Sequence, residues 1–224
     1  MERTSQEINW HLAALPRATQ RAIRVLAEAK WLSRSSWYLA GGTALALQAG
    51  HRQSVDLDFF IHEKDFVLNN LLKRFSKEKW VTDIAKEDTV YGRLEGAKIS
   101  FIAYPFFVPQ DMPLWYGNVR VLTTRDIAVM KIIAISQRGR KRDFIDLYWY
   151  TMHKESLLDV IQRLPKQYPT VAHDYHHILK SLVYFDDAEG DPMPEIYFKA
   201  DWKTVKAYFR REVPRITKEL LRLH

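Results

Sequence analysis

Two aspartates one residue apart, Asp56 and Asp58, stand inside the otherwise apolar run Ser54-Val-Asp-Leu-Asp-Phe-Phe-Ile61. The run reads as a β-strand, and strand interiors disfavour Asp. Side chains alternate with a period of two, so both carboxylates fall on one face, while Val55, Leu57 and Phe59 take the other and can be buried. A strand whose polar face merely met solvent would carry the same alternation. The preceding segment narrows the choice. Trp37-Tyr-Leu-Ala40 reads as a short buried strand running into Gly41-Gly42. Thr43 to Gln48 reads as one or two helical turns stopped by Gly50, and His51-Arg52 form a turn before the aspartates.

This order of parts has a chemical logic. Glycines between a strand and a helix let the backbone approach a phosphate, and the helix N-terminus adds free N–H groups and partial positive charge. Two carboxylates on the next strand can hold Mg²⁺, which takes one or two carboxylates together with substrate phosphate oxygens. A third spaced glycine and a Gly-Lys-Ser/Thr are both missing, which excludes the Rossmann and P-loop arrangements. The absence of cysteine excludes disulfides, thiolate metal sites and Cys nucleophiles. With 34 Lys+Arg against 27 Asp+Glu the chain is modestly basic, compatible with a polyanionic ligand. Met1 to Glu7 opens no signal-peptide core, and the nearly apolar run Ile127 to Ile135 contains Lys131 and is too short to cross a bilayer. A cytoplasmic protein with no membrane partner is expected.

The remaining chain divides into a mixed and a helical part. Glu7 to Trp31 has apolar residues at helical spacing, broken near Pro16. Asp65 to Phe75 reads as a helix. Trp80 to Glu87, Thr89 to Glu95 and Lys98 to Tyr104 read as successive strands, with turns at Glu87-Asp88 and Glu95-Gly96. A proline-marked connection follows, and Val119 to Leu122 is expected to add a short edge strand. From Thr124 onward every candidate element is helical: Thr124 to Ser136 with Thr124 as cap and Asp126 in its first turn, then Asp143 to Met152, 155–164, 171–184 and 201–223. The acidic loop Asp186 to Pro194 lies between the last two. Boundaries of 1–123 and 124–224 are expected for an α/β domain and a helical domain that completes the cleft.

Lys131 is the single charge between Ile127 and Ile135, on a helix apolar nearly all round. An unpaired buried ammonium is costly, so it must face a partner or a cleft, unless its stem lies along apolar surface with the head in water. Arg138 falls on the same helical stripe, and Arg138-Gly-Arg-Lys-Arg142 gives a positive rim or a solvated turn. Basic residues from Lys199 to Arg222 read as a solvated helix face that could also meet RNA. His173, His176 and His177 lack zinc-site spacing. Trp115 and Tyr116 fit loop packing better than base stacking.

The Gly-Gly-x-x-Leu…Asp-x-Asp arrangement resembles the signature of nucleotidyltransferases with a polymerase-β-like core. More narrowly, Gly42-Thr-Ala-Leu…Gly50-His-Arg-x-Ser54-x-Asp-Leu-Asp-Phe59 is similar to the AbiEii/AbiGii toxin family. So is Lys131-x-x-Ala134-x-x-x-Arg138…Arg142-Asp143-x-x-Asp146-Leu147, and the Asp-Asp-Ala-Glu loop followed by Trp202 adds to the likeness. The resemblance implies an α+β fold, a nucleotidyltransferase-type mixed sheet with flanking helices followed by an all-helical C-terminal part. It implies an Mg²⁺-dependent (or Mn²⁺-dependent) transfer of NMP from an NTP to an acceptor hydroxyl of RNA, tRNA included, or of a protein. The role implied is the toxin of a toxin–antitoxin or abortive-infection pair, with a cognate antitoxin as partner.

By the same resemblance Asp56 and Asp58 are metal ligands and Lys131 contacts the triphosphate. Asp146, or else Asp143, is the further catalytic acid. Gly41, Gly42, Thr43, Arg52, Ser54, Arg138 and Arg142 are expected around the nucleotide phosphates. One departure stands out. Polymerase-β-like sites take a third carboxylate from a later strand, and Lys98-Ile-Ser-Phe-Ile-Ala103 has Ser100 there. Either the helical half supplies the acid, or one metal binds tightly, or the pocket is a catalytically silent nucleotide-binding one.

Overall fold

The computed structural model describes residues 8–76 and 78–222; the expected start of the first helix at Glu7 and the last residue of the 201–223 segment lie outside them. After a 3₁₀ turn at Leu12–Ala14 come α1 (Arg17–Glu28) and α2 (Lys30–Ser33), then β1 (Tyr38–Ala40), α3 (Gly41–Ala49) and β2 (Leu57–Ile61). The sheet continues through α4 (Leu68–Lys73), β3 (Trp80–Ala85), β4 (Thr89–Leu94), β5 (Ala97–Ala103), β6 (Leu114–Tyr116) and β7 (Val119–Val121). Helices make up the rest: α5 (Thr124–Arg138), α6 (Lys141–His153), α7 (Leu157–Gln162), α8 (Leu164–Gln167), α9 (Tyr175–Ser181), α10 (Asp186–Glu189) and α11 (Trp202–Arg222). No helix among the described residues is long and apolar enough to cross a membrane.

The seven strands form one mixed sheet in the order β3-β4-β5-β2-β1-β7-β6. β1 runs antiparallel to β2 and parallel to β7, while β2 runs parallel to β5. The inward face of the central strands is aromatic and aliphatic. Phe59 stacks on Phe101 at 5.0 Å between ring centroids, and Trp37 meets Phe101 edge-on at 5.1 Å. One hydrophobic core runs from Leu26 in α1 through Phe59 and Phe101 to Val129 in α5 and Phe209 in α11. Burial of this kind is the main favourable term holding the helical half onto the sheet.

Several local expectations change. β2 starts at Leu57, so Ser54 to Asp56 belong to the preceding turn, and Val55 is 46% exposed rather than buried. Val119–Val121 is interior, because Leu114–Tyr116 pairs beyond it as the edge strand; Trp115 and Tyr116 therefore sit in a strand. The α5 cap is Thr123, whose hydroxyl accepts from the Asp126 N–H at 3.2 Å, and not Thr124. The acidic loop holds the short α10. Strand pairing decided the place of Val119–Val121 and Leu114–Tyr116, and a local cap bond decided the start of α5.

Candidate active site

Gly41 follows β1 directly with φ +68°, a conformation that favours glycine, and opens α3. A Cβ there would stand 3.0 Å from Asp58 Oδ2. Register explains the approach, because Ala40 on β1 lies opposite Asp58 on β2. On the other side Asp58 lies opposite Ser100 of β5, whose hydroxyl donates to Asp58 Oδ1 at 2.7 Å. Ser100 thus occupies the place where a third strand acid would stand, and supplies a donor instead. Burial pushes the Asp58 carboxyl above its ordinary value; the Ser100 bond opposes this and the charge of Asp56 adds to it. Asp56 leaves a third of its side chain exposed, with Arg142 Nη1 3.6 Å from its Oδ2. Two carboxylates therefore converge on the cleft with one partly exposed cation at their margin.

The turn between α3 and β2 is clamped from within. The buried Thr43 hydroxyl donates to the Asp56 carbonyl and shares a hydrogen bond of 2.9 Å with the Ser54 hydroxyl. Arg52, expected at the phosphates, is 3% exposed and forks onto Asp146, with Nε to Oδ1 at 2.5 Å and Nη2 to Oδ2 at 2.9 Å. Gly42 makes room for it, since a Cβ there would lie 2.2 Å from Arg52 Nη2. His51 Nε2 meets the same Oδ1 at 2.8 Å, and its ring packs 5.1 Å from that of Trp149.

Lys131 is likewise captured. Its Nζ lies 2.6 Å from Asp143 Oδ1 and 2.7 Å from Asp146 Oδ2. Asp146 has no exposed surface, and it is held by Arg52, His51 and Lys131 together. Burial opposes its charge, but Arg52 and Lys131 outweigh burial and hold its pKa well below the ordinary range. Expected as the further catalytic acid, Asp146 is instead fully buried and lies outside the cavity lining, where it anchors Arg52 and Lys131. Asp143 lines the cleft; burial is outweighed there by Lys131 and Arg138, which lower its pKa too. Burial lowers the pKa of His51 against the pull of Asp146, and Nε2–H is assigned as the donor to Asp146.

Above this layer opens a cavity of about 490 Å³, within the usual size of a small-ligand site. Gly41, Gly42, Arg52, Ser54, Asp56 and Asp58 contribute to one wall and Lys131, Arg138, Arg142 and Asp143 to the facing one. Arg138 and Arg142 stand half-exposed at the rim, Arg138 3.3 Å from Asp143 and Arg142 3.6 Å from Asp56. The sequence expectation thus assembles in one place, with Thr43, Asp146 and Arg52 turned to the support of the site. Among the described residues no three His, Asp or Glu side chains converge on a metal position, so a cation at Asp56 and Asp58 needs ligand oxygens to complete its shell.

The sequence profile described as nucleotidyl transferase AbiEii toxin, type IV TA system, matches residues 24–101 and 92–220. The chain belongs to this AbiEii family. An uncharacterized Aquifex aeolicus protein, aq_aa25, is 35% identical over 187 residues, covering 80% of this chain and 87% of that one. Two solved structures share the fold. JHP933 from Helicobacter pylori superposes with a TM-score of 0.55 at 20% identity, covering 93% of this chain and 96% of its own. MenT4, a nucleotidyltransferase toxin from Mycobacterium tuberculosis H37Rv, gives 0.54 at 14% identity, covering 92% and 87%. The AbiEii chain is accordingly a nucleotidyltransferase with a nucleotidyltransferase-type mixed sheet.

Sequence reading missed the Arg52–Asp146 fork and the place of His51 beside it. The two ends lie 94 residues apart, and nothing local to either distinguishes a buried arginine from a phosphate-binding one. It also passed over Tyr91 and Lys98, which line the same cavity from β4 and from Ser100's own strand β5.

Proposed function

We propose that the cleft transfers a nucleoside monophosphate from an NTP to an acceptor hydroxyl, with a divalent cation, Mg²⁺ in the first instance, held by Asp56 and Asp58. The convergence of those two carboxylates beside the glycine turn, with one partly exposed cation at the margin beside Asp56, carries the reading. Their donor set fits a hard cation, and the pKa of Asp58 is raised first by burial and then by the neighbouring charge of Asp56, both of which a bound cation would offset. Such an ion, when bound, neutralises phosphate charge and favours displacement at phosphorus. The backbone at Gly41 and Gly42 and the start of α3 receive the triphosphate, with Arg138 and Arg142 closing over it from the helical half, residues 124 onward. Lys131, fixed by Asp143 and Asp146, adds positive potential from below and keeps the wall in place.

In the reaction the acceptor oxygen bonds to the α-phosphorus while the bond from that phosphorus to the β-phosphate oxygen breaks. Pyrophosphate leaves with the electron pair, and the acceptor proton passes to solvent. We assign the chain as the toxin of a toxin–antitoxin or abortive-infection pair with a cognate antitoxin. Expression should arrest growth and an adjacent gene product should relieve it.

Incubating the protein with Mg²⁺, each labelled NTP, total RNA and candidate protein acceptors tests the reaction. Label transfer is expected, with a loss of at least about a hundredfold in Asp56→Ala and Asp58→Ala, the scale of losing electrostatic stabilisation at the reacting centre. Ser100 at the third-acid position favours one rival, a silent nucleotide-binding protein. Bound nucleotide without transfer by the wild type would establish that rival; transfer that survived both substitutions would refute the site.

A further inference from the structure

The strand register places a row of residues straight across the cleft face of the sheet. Ala40 on β1 lies opposite Asp58 on β2, Asp58 opposite Ser100 on β5, Ser100 opposite Tyr91 on β4, and Tyr91 opposite Ile84 on β3. The irregularity between Thr82 and Ile84 re-phases β3 so that Ile84 joins this row. At strand spacings of about 4.8 Å, Tyr91 stands roughly 10 Å from Asp58. The glycine turn continues from Ala40 at the other end of the row.

Displacement at phosphorus keeps the attacking and leaving oxygens roughly in line. If the triphosphate lies at Gly41-Gly42, on the β1 side of Asp58, the acceptor enters from the β5 side, over Ser100 and toward Tyr91. That side of the cleft is built differently from the phosphate side. Tyr91 is 43% exposed and lines the cavity, with Ile84 beside it 49% exposed. In the next row Lys98 and Arg93 are exposed and paired across β5 and β4. Arg93 is engaged by Asp83 at 2.8 Å, which leaves the ammonium of Lys98 as the cation lining this part of the cavity. A half-exposed aromatic ring with an adjacent cation is the combination that holds an unpaired nucleotide, the ring by stacking and the cation by its phosphate.

We infer that Tyr91 is the stacking platform for the terminal nucleoside of a single-stranded RNA acceptor, with Lys98 at its phosphate. The 3′ hydroxyl of that nucleoside then lies over Ser100. The inference rests on the nucleotidyl-transfer reading for its direction, and it selects RNA over a protein hydroxyl as the acceptor. The hydroxyl of Ser100, turned to Asp58, puts a neutral side chain on this approach, and Asp83, the acid that lines the cavity farther out, is paired with Arg93.

The test has an arm that needs no turnover. RNA oligonucleotides carrying 4-thiouridine at the 3′ end are irradiated with the wild-type protein without NTP, and the cross-linked peptide is mapped by mass spectrometry. Attachment within Thr89–Leu94 or Ala97–Ala103 is expected, and attachment confined to α11 or elsewhere would overturn the platform. In the transfer assay Tyr91→Ala should raise KM for RNA roughly tenfold with KM for the NTP unchanged, and Tyr91→Phe should keep wild-type values. Lys98→Ala should raise the RNA KM and flatten its dependence on salt. An unchanged RNA KM in Tyr91→Ala, or label found on protein and never on RNA, would overturn the inference while leaving nucleotidyl transfer intact. A cross-link at Tyr91 in a protein that transfers no label would support the platform and refute the reaction.

Discussion

The chain contains two aspartate pairs that face the same cleft region and have opposite fates. Asp143 and Asp146 sit in the helical half with Lys131 between them, Arg52 forked onto one and Arg138 near the other. Their two negative charges are met inside the fold, and the pKa values of both are lowered. Asp56 and Asp58 sit at the start of β2 with Arg142 3.6 Å from one of them, and burial raises the pKa of Asp58. A carboxylate pair completed by the protein's own cations becomes structure. A pair left incomplete in a cavity is available to a cation from outside. Residue type is identical in both, so charge balance and access decide which pair does chemistry.

Removing the sealed side should have the largest effect. Asp146→Ala leaves Arg52 and Lys131 buried without their shared partner, and breaking a buried ion pair this way costs roughly 3–5 kcal/mol. Urea denaturation should show that loss, and an unchanged midpoint would mean the cluster is not closed. Gly42→Ala tests the link between the two regions. A Cβ 2.2 Å from Arg52 Nη2 must displace the guanidinium or the turn, at about 1–3 kcal/mol for overpacking. Both stability and transfer should fall, because the same glycine lines the proposed phosphate site.

The open pair should respond with the opposite sign. A carboxyl whose folded pKa is raised contributes stability below its unfolded value, near 4, and loses it as pH rises through the folded value. Asp58→Asn removes that loss, so at neutral pH the metal-free protein should melt at a higher temperature while transfer is lost. A lower Tm in Asp58→Asn would mean the Ser100 bond outweighs burial. The sealed pair gives the counterpart. With lowered folded pKa values, Asp143 and Asp146 contribute stability above about pH 4 and lose it as the pH falls through those values, so Asp146→Asn should flatten the acid limb of a stability–pH curve.

Much of this was legible in the chain. The period-two placement of Asp56 and Asp58, the glycines before a helix, and the lone Lys131 in an apolar helix each follow from rules that act within a few residues. The structure brings these residues to the lining of one cavity. Ser100 was also visible as the missing acid, because strand alternation puts it in the right row. What local rules left open was which basic residues stay free. Arg52, Lys131, Arg138 and Arg142 look alike in sequence as cations for a phosphate. Arg52 and Lys131 are buried on Asp143 and Asp146, while Arg138 and Arg142, paired at 3.3 and 3.6 Å with Asp143 and Asp56, stay half-exposed at the rim.

The sequence by itself determined most helices and strands and the carboxylate face, since these depend on short-range periodicity, and it carried the motifs of the family resemblance. It left open the strand Leu114–Tyr116 and the short α10. Tertiary structure alone decided the partners. The pairing of residue 52 with residue 146, the register that aligns Ala40, Asp58, Ser100 and Tyr91, and the burial of Asp146, expected as a catalytic acid, under Arg52 and Lys131 all join segments far apart in the chain. Electrostatic energy depends on distance and burial, and sequence separation fixes neither.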